Sequence, residues 1–479
     1  MLRISLIFTL LLVTGITYCQ EKAVQLFLSD TCMIHASVSI CIKDAGNGET
    51  ISSCYAGKSL IPASVLKLIT SGAEMELLGP RYNFRTILGY TGSMNKRTGR
   101  LSGNIIIRGG GDPALGSKYF RDHYKDFISV WVSELKMAGI KIVDGRVITD
   151  DSYYDFLPVP SGWQWEDIGN YYGAGVYGLS AFDNTFDIHL QSSSGNSPVI
   201  ISGINPVEYA CDFENRLVAS DTTDEGNIFA APYNSYGWLA GTVPVNQEDF
   251  MLEGSVADPP LFIAGFLNKE LEASGVKIRE KPSTVRLAGK NIIDEVKIIS
   301  EISSPPLSEI IEVLNHESVN LFAETLLKEL GKKFRNNGST ASGVDVVKEF
   351  LLNAGIPVDG MFIEDGSGLS PRDAINAEEM TDFLIYMKSK GKYFTEYYQS
   401  LPEAGKEGTL KSYFRDPVFE GRMNAKSGSM KRVRCYAGYF TTNSNRNMVF
   451  SILVNNFTGP PLKVISGIEE IIKEIILYK

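Results

Sequence analysis

The stretch Ile61-Pro62-Ala63-Ser64-Val65-Leu66-Lys67-Leu68-Ile69-Thr70 constrains this chain more than any other. Pro62 suits the first turn of a helix, where its missing N–H is not needed. Leu66, Leu68, Ile69, Met75, Leu77 and Leu78 supply an apolar body, and Gly79-Pro80 stops it. The pattern predicts a buried helix with a serine and a lysine at its start. Residues three apart on a helix are neighbours, so the Lys67 amine can lie beside the Ser64 hydroxyl. A serine hydroxyl is a poor nucleophile until a base takes its proton. A lysine serves as that base when burial or a neighbouring cation lowers its pKa. Taken alone the pair is weak, because Ser and Lys three apart recur by chance in 479 residues.

That length predicts two to four domains with ample core. A net charge of −10 and the absence of a basic patch argue against nucleic acid and anionic lipid as partners. Met1-Leu2-Arg3 followed by the apolar run Ile4–Ile16 reads as a secretory signal, residues 1–19, with cleavage before Gln20. The run is too short for a membrane span, which leaves membrane association at most peripheral. The four histidines His35, His123, His189 and His316 form no His-Glu-x-x-His pattern, so no metal and no cofactor is expected. A Ser-His-Asp arrangement using His316 beside Ser318 is disfavoured, since a histidine at a helix break is commonly structural.

The cysteines are too sparse for a disulfide scaffold. Ala36–Lys43 alternates as a strand, and Asn47-Gly48 is a two-residue hairpin signal. In that register Cys41 faces Cys54, which predicts a bridge between them.

Strands are expected over 82–90, 103–108 and 141–150, and a helix over 120–137. The glycine cluster Gly109-Gly110-Gly111-Asp112-Pro113 lacks the Gly-Lys-Ser/Thr ending of a phosphate loop, and Asp112 would repel phosphate; it reads as a tight loop. Short strands and turns fill 195–257, with a helix over 259–274 and a strand over 297–303. Further helices are expected over 307–314, 321–330, 344–352, 377–390 and 464–478. The strands 434–442 and 447–455 precede the last of these.

Two further short motifs follow Ser64-x-x-Lys67 along the chain: Ser318-x-Asn320 between two helices, and Lys426-Ser427-Gly428 leading into a strand. Each alone is a chance-level pattern, but the ordered set is that of penicillin-binding proteins and class A β-lactamases. The sequence resembles the low-molecular-mass penicillin-binding proteins of the D-alanyl-D-alanine carboxypeptidase/endopeptidase type, peptidase family S13. The long interval between the first two motifs is similar to this family's large insert, whereas β-lactamases have a much shorter one. Asp365-Gly366-Ser367-Gly368-Leu369-Ser370 and Gly109–Pro113 are also similar to family segments.

The resemblance implies an α+β multidomain fold. Its penicillin-binding domain has an antiparallel sheet flanked by helices and is assembled from residues 20–82 and 290–479. The insert, 83–289, makes one or two smaller strand-rich domains. It further implies acyl transfer through a serine ester on peptidoglycan stem peptides and cross-links, in the periplasm, with β-lactam antibiotics as covalent inhibitors. Ser64 would be the nucleophile and Lys67 its base. Ser318 would pass a proton to the leaving amine, hydrogen-bonded to Lys67 and Lys426. Asn320 would bind a substrate amide and hold Lys67. Lys426 would supply the positive charge that keeps Lys67 neutral. Ser427, Gly428 and Ser429 would bind substrate, with the Ser64 and Ser429 N–H groups as oxyanion hole. Asp167, Tyr172, Arg372 and Lys431 would border the pocket for the substrate's diamino acid. Two other readings remain open: a β-lactamase or esterase on the same site, and a silent wall-binding protein.

Overall fold

The computed structural model describes residues 22–206, 212–221, 224–289 and 295–478. The expected signal, residues 1–19, lies outside them. Five strands form one antiparallel sheet: β1 (Ser37–Asp44), β2 (Thr50–Cys54), β3 (Met423–Met430), β4 (Val433–Thr441) and β5 (Asn447–Asn455). Their order is β3-β4-β5-β1-β2, so strands from the two ends of the chain pair side by side. β5 is buried from Met448 to Asn455. A strand apolar on both faces needs a layer over each.

Six helices set up those layers and the site: α1 (Lys22–Ser29), α2 (Lys67–Leu78), α3 (Leu307–Glu317), α4 (Asn320–Arg335), α5 (Ala377–Lys390) and α6 (Pro461–Tyr478). One face of the sheet presents Phe450, Ile452 and Val454 to α1 and α6. The other presents Val449 and Leu453 to the core that holds α2, α4 and α5. Successive strand residues thus feed opposite cores. Full burial of each such side chain contributes about 1.5–3 kcal/mol.

Between the two halves of this sheet, among the described residues, the chain builds four further sheets of three to five strands over residues 85–303. The stretch leaves and returns side by side, because Arg85–Tyr90 pairs antiparallel with Lys297–Ser303. The strand Lys297–Ser303, which sequence reading assigned to the second part of the penicillin-binding domain, therefore belongs to a sheet of the intervening stretch. The expected helix over 120–137 is two helices, Arg121–Tyr124 and Phe127–Met137. Lys125 between them has φ 49°, and the Asp126 carboxylate caps the second by accepting from Ser129 N. The expected strand 141–150 is likewise two short strands in different sheets, divided at Asp144-Gly145-Arg146.

The predicted Cys41–Cys54 bridge is wrong. The turn is wider than two residues, with Asp44 N donating to Glu49 O, and a bulge follows at Ile42/Lys43. Cys54 consequently faces Ile40. A one-residue slip sends a side chain to the other face of the sheet. Cys41 is a free buried thiol beside Thr381 of α5. Cys54 sits in the opposite core and is disulfide-bonded, not to Cys41.

Candidate active site

Ser64 and Lys67 meet because the first turn is tighter than an α-helix. Ala63–Leu66 is a 3₁₀ turn, and Lys67 N donates to Ser64 O before the α-helix begins. In that geometry side chains three apart eclipse. Ala63, just before the serine, holds a left-handed φ of 47°. Such a conformation costs a non-glycine residue on the order of 1–3 kcal/mol and persists only where the surroundings enforce it. Two backbone segments do so. A Cβ on Gly428 would sit 2.6 Å from Pro62 O, and one on Gly368 only 2.0 Å from Ala63 O. Glycine at both positions lets β3 and the 366–368 loop close on the serine.

Lys67 is fully buried. Its Nζ lies 2.9 Å from Ser64 Oγ, 2.7 Å from Asn320 Oδ1 and 2.7 Å from Ser367 O. Two of those neighbours only accept, so when the amine is neutral they take its two N–H bonds, and the remaining lone pair then faces the Ser64 hydroxyl, which can donate to it. Burial lowers the Lys67 pKa to about 8, while Asp365, Glu324 and Asp373 pull it upward.

Lys426, on β3, is also fully buried. It donates to Ser318 Oγ at 2.9 Å and to Ser427 O at 3.0 Å. Ser318 occupies a left-handed position, φ 61°, between α3 and α4, which turns its side chain toward β3. Burial and then Lys67 push Lys426 well below the usual lysine range, opposed by Glu317. Two corrections to the sequence reading follow. Ser318 takes its bond from Lys426, and the three positions around Lys67 Nζ are occupied by other groups. The proton shared by the two amines favours Lys67, which stands over three carboxyl groups, rather than Lys426, which has only Glu317.

The open side of Ser64 is a cavity of about 450 Å³. Ser318, Asn320, Ser429, Asp167, Tyr172 and Lys431 share its wall with Ser64. Asp167 is nearly buried, and one of its oxygens has no partner. Burial raises its carboxyl to about 6, with the Tyr172 hydroxyl pulling the other way. Asn320 Nδ2 donates to Tyr172 O at 2.8 Å, so the intervening stretch touches the catalytic constellation directly. Ser427 Oγ donates to Thr409 Oγ1 at 2.7 Å. Arg372 is not brought into the wall: it is exposed and lies beside Gly162. His316 points to Glu407, 4.0 Å away, and is absent from the cavity wall. Among the described residues no set of His, Cys, Asp or Glu is arranged to hold a metal ion.

Sequence reading gives no role to Glu324, Thr409 or Trp163, and takes Asp365–Ser370 only as similar to a family segment. Asp365-Gly-Ser-Gly carried a turn signal, since an aspartate commonly accepts from N–H groups two or three residues on. It carried no sign that the turn's carbonyl would meet Lys67.

The chain belongs to the D-Ala-D-Ala carboxypeptidase 3 (S13) family, whose profile matches residues 20–472. It is therefore a serine-type peptidase with a penicillin-binding fold. It is similar to the D-alanyl-D-alanine carboxypeptidase of Actinomadura sp. (strain R39), with 26% identity over 93% of this chain and 82% of that protein. Its fold is similar to penicillin-binding protein 4 from Haemophilus influenzae, with TM-score 0.81, 21% identity, and coverage of 92% and 97% of the two chains. A structure of that protein complexed with a β-lactam matches with TM-score 0.75 and 20% identity, over 93% and 97% of the chains.

Proposed function

We propose that Ser64 is the nucleophile of a D-alanyl-D-alanine carboxypeptidase and endopeptidase acting on peptidoglycan stem peptides and their cross-links. The observation that carries this reading is the convergence at Lys67 Nζ of two fixed acceptors, Asn320 Oδ1 and Ser367 O, with Ser64 Oγ 2.9 Å away, an arrangement that aims the lone pair at Ser64 once the amine is neutral. Ser64 Oγ attacks the carbonyl carbon of the penultimate D-alanine while its proton passes to Lys67. Backbone N–H groups of Ser64 and Ser429 receive the oxyanion. The C–N bond breaks as Ser318, backed by Lys426, delivers a proton to the leaving amine. Ser318 takes a proton back from Lys426, and Lys67 passes the Ser64 proton on to Lys426, so Lys67 is neutral again when water attacks the ester; water's proton goes to Lys67 and from there to Ser64 Oγ as the acid departs. An arriving substrate carboxylate would hold a proton on Lys426, and like-charge repulsion would then favour neutral Lys67. Ser427, Gly428 and Ser429 line the edge along which the substrate backbone lies.

Asp167, with its unpartnered oxygen, suits the ammonium of the diamino acid, with Tyr172 and Lys431 beside it. Arg372, exposed at the margin, would reach the same substrate only from outside the wall. The domain division expected from the sequence, 20–82 with 290–479 for the penicillin-binding domain and 83–289 for the insert, fits this reading once its second boundary moves past Ser303, whose strand pairs with Arg85–Tyr90. Secretion by residues 1–19 and a periplasmic location fit a peptidoglycan substrate. β-Lactams fit as covalent inhibitors because their strained amide presents a carbonyl to Ser64. Incubating the protein with cross-linked muropeptides tests the activity by mass spectrometry. Loss of D-alanine, cutting of the cross-bridge, or both supports it, and unchanged muropeptides overturn it.

A further inference from the structure

The two acceptors that orient Lys67 are both held by one segment of the intervening stretch, residues 163–172. On one side, Tyr172 O accepts from Asn320 Nδ2, while Asn320 Oδ1 faces Lys67. On the other, the Trp163 indole N–H donates to Asp365 Oδ2 at 2.9 Å. Asp365 is fully buried and also accepts from Ser367 N, Gly368 N and Ser370 N, at 3.1, 2.6 and 2.7 Å. Those bonds fix the loop whose Ser367 carbonyl meets Lys67. Glu324 of α4 takes Gly366 N and Ser367 N from behind, and Thr70 Oγ1 donates to Gly366 O. The same segment carries Asp167 into the substrate cavity.

We infer that Trp163 and Asp365 are positioning residues: they join the substrate-facing segment 163–172 to the Ser367 carbonyl, and so to the orientation of the catalytic lysine. A buried carboxylate that accepts four hydrogen bonds is a stiff joint, because each unmade bond leaves a buried polar group unpaired. Neither residue touches the cavity wall. Their effect runs through Lys67, not through substrate contact. Segment 163–172 therefore does two jobs, presenting Asp167 and aligning the base, so a peptide seated against Asp167 presses on the element that aligns Lys67. This inference rests on Ser64 and Lys67 being nucleophile and base.

The test is Trp163→Phe, which keeps the ring and removes the N–H, with Asp365→Asn as a second variant. Acylation of Ser64 by a chromogenic cephalosporin is followed from pH 6 to 10, together with kcat and KM for a D-Ala-D-Ala peptide. Trp163→Phe is expected to slow acylation and kcat about tenfold, equivalent to about 1.4 kcal/mol in the barrier, with KM changed less than about threefold. Asp365→Asn is expected to slow acylation and move its rising limb to lower pH, because the lost carboxylate is one that holds the Lys67 proton, with Glu324 and Asp373 beside it and Lys426 opposing. A merely structural role would lower the melting temperature and leave the limb in place. Wild-type acylation rates and an unmoved limb in folded Trp163→Phe and Asp365→Asn overturn the inference. If Trp163→Phe does not fold, the limb in Asp365→Asn decides alone. Failure of the wild-type protein to acylate at Ser64 would instead overturn the proposed function itself.

Discussion

Helix α4 carries two buried glutamates that live in opposite surroundings. Glu329 is satisfied: Tyr82 and Tyr153 donate to Oε1 at 2.5 and 3.1 Å, and Tyr154 donates to Oε2 at 2.8 Å. Glu324, a turn and a half earlier, has one oxygen on two loop N–H groups and the other without a partner. Burial raises its carboxyl to about 8, and Asp365 adds to that rise. Asp373 beside it is pushed well above the usual carboxylate range by burial and by Asp365, and is best described as a protonated acid beside Asp365. On this one helix the carboxylate remote from Ser64 has both oxygens satisfied, and the one behind the Lys67 loop does not. There acids and a lysine compete for too few protons, and that competition keeps the base within reach of neutrality.

The sharpest break in the comparison is chemical. Ser64→Ala is expected to abolish penicillin labelling and lower D-alanine release at least about a thousandfold, read by mass spectrometry. Undiminished release would remove the reason for the strained cluster. Next in size, Glu329→Gln leaves a tyrosine hydroxyl of the satisfied cluster short of an acceptor. It should cost about 2–4 kcal/mol in denaturant unfolding while the pH dependence of acylation stays put.

In the wild-type protein, acylation should rise with pH through about 8, because the base is productive only after Lys67 loses its proton. Glu324→Gln should move that limb to lower pH, since Glu324 helps hold the Lys67 proton. The shift should be smaller than with Asp365→Asn, because burial keeps Glu324 largely protonated until about pH 8.

The smallest effect concerns Glu74 of α2, fully buried with neither oxygen partnered. Burial and Glu329 hold its carboxyl well above the usual carboxylate range. The folded state therefore prefers the protonated form, and stability is lost as pH rises above the unfolded pKa. Glu74→Leu should stabilise by about 1–2 kcal/mol, more at pH 8 than at pH 5, as read by thermal unfolding.

Much of the fold was legible because long apolar elements announce themselves. The strand expected over 447–455 is β5, and the helices expected over 377–390 and 464–478 are α5 and α6 within three residues. Periodicity failed where local side-chain chemistry intervened, as with the Asp126 cap that divides 120–137. It failed again at the β1–β2 turn, where Asp44 accepts from Gly46 N, Asn47 N and Gly48 N and builds a wider loop than Asn47-Gly48 suggests. That single difference in loop width moved Cys41 to the wrong side of the sheet for Cys54. At the site, Ser64, Lys67, Ser318, Asn320 and Lys426 were legible as motifs, and the structure brings their side chains into one cluster. Arg372 was legible only by similarity and lies outside the cavity wall.

The residue order by itself determined which groups could be nucleophile, base and proton donor, because reactivity starts with side-chain type and with neighbours three positions apart. It also determined the helix starts and the central strands, which follow from short-range periodicity and turn residues. Only the tertiary structure decided how protons are shared among Lys67, Lys426, Glu324 and Asp373. Those groups come from distant parts of the chain, and their ionisation depends on burial and on distances of a few ångströms. Charge in a low-dielectric interior is a property of the whole assembly around it, and no local pattern of letters records that.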